Sequence, residues 1–157
     1  MRTSAGILLY RRTPEEAADA AVEVWIAHMG GPFWARKEDH AWSVPKGEFT
    51  APEPPLTAAL REFAEEMGWP APGVEYELLG TFRQSSAKSI TVFAAAADFP
   101  DREIRSNTFV VEWPAGSGNL RDFPEVDRAG WFTVEEAKTK LVKGQIQVLD
   151  ALLARLD

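Results

Sequence analysis

Residues 47–69, GEFTAPEPPLTAALREFAEEMGW, constrain this chain more than any other stretch, because they spell a helix with too much acid on one side. Leu56, Ala59, Leu60, Phe63 and Met67 recur at spacings of three and four, an apolar stripe suited to a sheet face. Glu62, Glu65 and Glu66 fall in one narrow sector on the opposite side, with Glu62 and Glu66 one turn apart. Like charges at that spacing cost about 0.2–0.5 kcal/mol per pair, and acids near a helix C-terminus oppose the macrodipole by roughly 0.3–1 kcal/mol. Pro54 and Pro55 suit a helix start and Gly68 suits a C-terminal stop, so the element is bounded at both ends. Three glutamates kept together at that cost call for a counter-charge.

A hard divalent cation, Mg2+ or alternatively Mn2+, is the natural one, since it prefers oxygen ligands and cancels clustered carboxylate charge. The stretch resembles the Nudix box: glycine, five residues, glutamate, seven residues, then Arg-Glu-bulky-any-Glu-Glu-any-Gly-bulky. Gly47, Glu53 and the run from Arg61 and Glu62 through Glu65, Glu66 and Gly68 to Trp69 match it throughout, with aromatics at Phe63 and Trp69 where aliphatics are commoner. A solvated acidic helix face is the plainer account of a Glu-rich helix, but it explains neither Gly47 nor the placement of Arg61.

The resemblance implies an α+β fold, a Nudix-type α/β/α sandwich with a mixed β-sheet between helices, and metal-dependent hydrolysis of a nucleoside diphosphate linked to another moiety. It assigns Glu62, Glu65, Glu66 and the main-chain carbonyl of Gly47 to the metal, and makes Arg61 and Glu53 an orienting ion pair. A glutamate shortly before a tryptophan-bearing strand is similar to the family's late loop carboxylate. Glu125 is the candidate and Asp127 the alternative, and either Glu62 or Glu125 takes the proton of the attacking water.

Outside the box, residues 4–12 and 22–28 read as strands, with a loop or a helical turn over 13–21. His28, at the end of the second strand, reads as structural. Phe33 and Trp34 follow a Gly-Gly-Pro turn and can stack a nucleobase or merely close a sheet edge. Trp42 and the run Pro45-Lys46-Gly47 are similar to what precedes the helix in Nudix enzymes that cleave dinucleoside polyphosphates, and Lys46 offers a point charge to a phosphate. Residues 74–84 and 88–98 form a predicted hairpin with Arg83 and Lys88 near its tip; both can reach phosphates, although a solvated hairpin end is the simpler account. A strand over 108–113 leads into a flexible loop over 114–119. Thr133 and Glu136 form a capping box for one helix, and residues 146–156 a second, amphipathic helix that covers the sheet.

The 157 residues fit one domain. A net charge of −7 and a pI near 4.9 argue against a general binder of nucleic-acid polymers or membranes, so an anionic substrate needs local help from metal and placed cations. With no cysteine there is no thiol nucleophile or disulfide, and the first residues carry no signal peptide, which makes cytoplasmic the default. The expected partner is a nucleotide, and the chain a monomer or homodimer. Diadenosine tetraphosphate and its relatives are the favoured substrates, nucleoside triphosphates the runner-up, and a silent nucleotide-sensing domain the third reading. Isopentenyl diphosphate isomerases share a related scaffold but lean on cysteine.

Overall fold

The computed structural model describes residues 1–12 and 22–156; the loop expected over 13–21 lies outside the described residues. The strands are β1 (Arg2–Arg12), β2 (Val22–Met29), β3 (Trp42–Ser43), β4 (Lys46–Glu48), β5 (Glu77–Arg83), β6 (Lys88–Ala96), β7 (Thr108–Glu112), β8 (Leu120–Pro124) and β9 (Val126–Thr133). The helices are α1 (Pro55–Met67), α2 (Val134–Lys140) and α3 (Ile146–Leu156).

Seven strands build one mixed sheet in the order β3-β2-β1-β6-β5, with β4 also paired to β1 and β9 to β2. Only β1 and β6 run parallel among these pairings; β7 and β8 form a separate two-stranded hairpin. Strand alternation divides the apolar side chains between two layers. Ile7, Leu9, Trp25 and Ala27 face α1 and pack with Ala59, Phe63 and Met67, whereas Leu8, Val24 and Ile26 share the other core with Val134, Ala137, Val148, Leu149 and Leu152 of α2 and α3. The result is the expected α/β/α sandwich with a mixed sheet.

Local rules account for most of the boundaries. Pro54 and Pro55 open α1, and Gly68 closes it in the left-handed region at φ 77°. Thr133 caps α2 by accepting from the Glu136 N–H at 3.2 Å while Glu136 accepts from the Thr133 N–H at 2.9 Å, the predicted capping box. The hairpin strand expected from residue 74 begins only at Glu77, because Pro70, Pro72 and Gly73 keep the preceding run in turns. β8 is an element the sequence reading folded into the stretch before Trp131. Among the described residues no helix is long and apolar enough to cross a membrane.

Phe63 is fully buried and meets Phe99 edge-on at 5.2 Å, in the core that fixes the apolar side of α1 against the sheet. Phe63→Ala is expected to destabilise the fold by about 3–5 kcal/mol in chemical denaturation, the usual cost of emptying a buried aromatic site.

Candidate active site

The C-terminal half of α1, β4 and the turn between β8 and β9 meet around a cleft of about 560 Å3. Glu62, Glu65, Glu66, Glu125, Gly47, Lys46, Lys88 and Trp34 all line it. Phe33 and Arg83 do not: Phe33 is 56% exposed and packs edge-on against Trp113, and Arg83 is exposed with its carbonyl taken by Gln147. The sequence reading gave both members of each pair equal weight; chain direction at the turn and the hairpin tip sends only Trp34 and Lys88 inward.

The acids do not lie simply across from the apolar stripe. At one hundred degrees per residue Glu65 is opposite it, but Glu66 falls beside Ala59, at the edge of the helix that abuts β4. Glu66 is therefore only 7% exposed, and its Oε1 accepts from the main-chain N–H of Lys46 at 3.2 Å. Burial pushes its carboxyl up to about 8, the Lys46 charge and N–H act against that, and the charges of Glu62 and Glu125 add to the rise. Burial also raises Glu62, opposed by a hydrogen bond from Arg61.

Gly47 has a spatial reason to be glycine. A Cβ there would lie 1.9 Å from Cδ of Glu62 and 2.0 Å from its Oε1, so β4 reaches the acidic helix only without a side chain.

Arg61 does more than pair with Glu53. Its Nε and Nη2 donate to both oxygens of Glu53 at 2.9 Å, a bidentate contact that lowers Glu53 and raises Arg61. Its Nη1 reaches Oε2 of Glu62 at 2.8 Å and Oε2 of Glu65 at 3.1 Å. Part of the counter-charge that the glutamates require is thus supplied by the helix itself. Among the described residues no three carboxylates or imidazoles already converge at coordinating distance. The donor set nonetheless fits a hard cation: no hydrogen bond among the described residues engages Oε1 of Glu62, Oε1 of Glu65 or Oε2 of Glu66, and oxygen donors are what Mg2+ and Mn2+ take.

Glu125 and Asp127 part company. Asp127 bonds Nδ1 of the fully buried His28 at 2.7 Å, and Nε2 of that ring donates to the Lys37 carbonyl at 2.7 Å, so His28 and Asp127 are structural. Glu125 faces the cleft. Its main chain is clamped, the N–H donating to the Asn107 carbonyl at 2.9 Å and the carbonyl accepting from Gly30 at 2.9 Å.

Two residues that the sequence reading missed also belong here. Asn107 lines the cleft, and its N–H donates to the carbonyl of Glu65 at 2.8 Å, which ties the end of α1 to Glu125. Phe109 joins Met29, Trp34 and Val126 around a smaller cavity of about 220 Å3 that opens on Lys46, Glu66 and Glu125. Alternation along residues 108–113 was a signal for Phe109; nothing local marked Asn107.

A family model described as NUDIX domain matches residues 2–152. No curated protein matches the chain. Among solved structures it is similar to an Ap4A hydrolase of C. elegans in a binary complex, with TM-score 0.66 and 19% identity over 99% of this chain and 98% of that one. It is also similar to the NUDIX domain of Shewanella oneidensis NrtR complexed with ADP ribose, with TM-score 0.64 and 14% identity over 99% and 88%. A mutT/nudix family protein from Listeria innocua gives TM-score 0.61 and 15% identity over 99% and 93%. At such identities the likeness is one of fold.

Glu38 holds the segment that carries Trp34, accepting from Trp42 Nε1 and Arg128 Nη2 at 3.0 Å and from Lys140 Nζ at 3.2 Å. Arg128 above all, with Lys140 and Trp42, holds its carboxyl down at about 2 against the opposing effect of burial. Because the folded-state value lies below the ordinary 4.5, this contribution is present above about pH 4.5 and is lost as the pH falls toward 2. Half of the side chain is exposed, so solvent screens the contribution. In urea unfolding, the stability gap between wild type and Glu38→Gln is expected to be constant above about pH 5 and to close below it.

Proposed function

Because the chain belongs to the Nudix family, we propose that it is a pyrophosphohydrolase that cleaves a phosphoanhydride bond in a nucleoside diphosphate-linked substrate, with Mg2+ or Mn2+ as cofactor, and that this substrate is a dinucleoside polyphosphate. One observation carries the reading: a single cleft sets Glu62, Glu65, Glu66 and Glu125 together with the cations Arg2, Lys46 and Lys88. Acids alone would repel a polyphosphate, and cations alone would bind it without activating water.

Glu62, Glu65, Glu66 and the Gly47 carbonyl would hold the metal. When bound, Mg2+ supplies charge neutralisation at the anhydride and makes water acidic enough to lose a proton near neutral pH. Glu125 is the better placed of the two candidate bases, since its carboxylate takes no hydrogen bond among the described residues, whereas Oε2 of Glu62 already accepts from Arg61. Arg61, gripped by Glu53, positions Glu62 and Glu65 and keeps their repulsion from splaying the site. Lys46 meets a phosphate as a point charge, and Trp34 with Phe109 gives a base the apolar cavity beside the acids. The fold likeness to the C. elegans Ap4A hydrolase agrees with this substrate without establishing it.

Incubating the protein with Mg2+ and a panel of dinucleoside polyphosphates, nucleoside triphosphates and ADP ribose in oxygen-18 water identifies both the substrate and the phosphorus attacked. Hydrolysis of triphosphates alone would replace the dinucleotide reading with the triphosphate one; no hydrolysis of any member would leave a nucleotide sensor. Glu65→Gln and Glu66→Gln are each expected to lower kcat by on the order of 100-fold at ordinary Mg2+, and full turnover in either would remove that residue from the metal set. Trp34→Ala is expected to raise KM roughly five- to a hundredfold with a smaller change in kcat, the range that loss of one base-stacking contact gives.

A further inference from the structure

The β5–β6 hairpin tip is exposed over Ser85–Lys88 but is anchored at the rim of the cleft, which Gln84 and Lys88 line. The Arg2 N–H donates to the Ala87 carbonyl at 2.8 Å, Gln147 Nε2 donates to the Arg83 carbonyl at 2.9 Å, and a Cβ on Gly144 would lie 2.1 Å from the Gln84 carbonyl oxygen. The parallel register of β1 and β6 sets Arg2 directly beside Lys88, and both side chains line the cleft. Two cations side by side on adjacent strands repel. Among the described residues Arg2 has one salt bridge, to Glu48 at 3.5 Å with both groups more than half exposed, so solvent screens it. Lys88 has none among the described residues.

Between them and the core, the orientation of Gln84 is determined. The Val44 N–H can only donate, so the Gln145 atom 2.8 Å away is its oxygen. Gln145 Nε2 then donates to Ser43 Oγ at 2.9 Å and to Gln84 at 3.3 Å, so the Gln84 atom there is Oε1. Gln145 is fully buried and cannot turn out of this chain of bonds. Gln84 also lines the cleft, and among the described residues both N–H donors of its amide are without a protein acceptor.

We propose that Arg2, Lys88 and Gln84 form a second anion subsite on the β1–β6 side of the cleft, which binds the phosphates beyond the one attacked and selects long polyphosphate bridges over short ones. This deepens the hydrolase reading and rests on it for its substrate. Glu62, Glu65, Glu66 and Glu125 come from α1 and the β8–β9 turn and these donors from β1, β6 and the hairpin tip, so a chain of several phosphates is what engages both groups. Glu48, paired to Arg2, is the group such a chain displaces.

The test compares kcat/KM for diadenosine pentaphosphate and diadenosine triphosphate in wild type, Arg2→Ala/Lys88→Ala, the charge-retaining Arg2→Lys/Lys88→Arg, and Gln84→Glu, each checked for an intact thermal transition. The penta-to-tri ratio is expected to fall about tenfold or more in the double alanine variant and in Gln84→Glu, and to recover in the charge-retaining one. A ratio within twofold of wild type in both the double alanine variant and Gln84→Glu overturns the subsite. In parallel, metal-free wild type and the double alanine variant are titrated with inorganic tripolyphosphate. A tenfold weaker Kd in the variant supports the subsite and an equal Kd overturns it. Should wild type hydrolyse neither dinucleotide, the dinucleotide reading fails on its own, and the titration still decides the subsite.

Discussion

The architecture of the site depends on how α1 tolerates three glutamates in its last two turns. Its own macrodipole opposes them, and the helix carries no basic residue in its last turn. Arg61 answers part of this from within the helix: one guanidinium grips Glu53 with two N–H groups and spends a further one on Glu62 and Glu65. A planar, permanently charged fork can serve three carboxylates at once, whereas a lysine in its place would offer one point charge and no fixed direction. Glu66 has no hydrogen bond from Arg61 and lies buried against β4, where the main-chain N–H and the charge of Lys46 oppose the effect of burial only in part.

The helix end is also tied to the rest of the site by main chain. Gly68 closes α1 on the Ala64 carbonyl, and the segment before β7 then covers the next orphans, Arg105 N–H on the Met67 carbonyl and Asn107 N–H on that of Glu65. The Asn107 carbonyl in turn receives the Glu125 N–H. Capping and positioning are one structure here: the bonds that end the helix set the distance from its acids to the late-loop carboxylate. Trp25 adds a pin from the sheet, its Nε1 on the Met67 sulfur at 3.3 Å.

What the sequence disclosed and what it withheld divide along physical lines. Helix α1, its proline start, its glycine stop and the capping box of α2 were legible because each is set by neighbours in sequence, whereas the sandwich layers were expected only from the family resemblance. The role of Gly47 was legible as a motif position but not as a cause, which is a close approach to a side chain fifteen residues away. Phe33 and Trp34, like Arg83 and Lys88, were left as near-equals, and Asp127 stayed an alternative to Glu125, because nearby residues in turns separate only once the tertiary partners are known. Trp113 keeps Phe33 outside, and His28 captures Asp127. Asn107 and Arg2 were invisible for the same reason: one acts through its backbone, the other through a parallel pairing with a strand more than eighty residues away.

That last pairing bears on how a chain of net charge −7 handles a polyanion. At physiological salt, charges more than about 8 Å apart are largely screened, so the overall field matters less than the groups within one Debye length of the ligand. Glu62, Glu65, Glu66 and Glu125 project from α1 and the β8–β9 turn with Lys46 beside them, while Arg2, Lys88 and Gln84 stand on the β1–β6 side with Glu48 paired to Arg2. In the reading proposed above, the acids would meet a polyphosphate through a metal and Arg2, Lys88 and Gln84 would meet it directly, so that these nearby groups, more than the sign of the whole surface, would govern which anions enter.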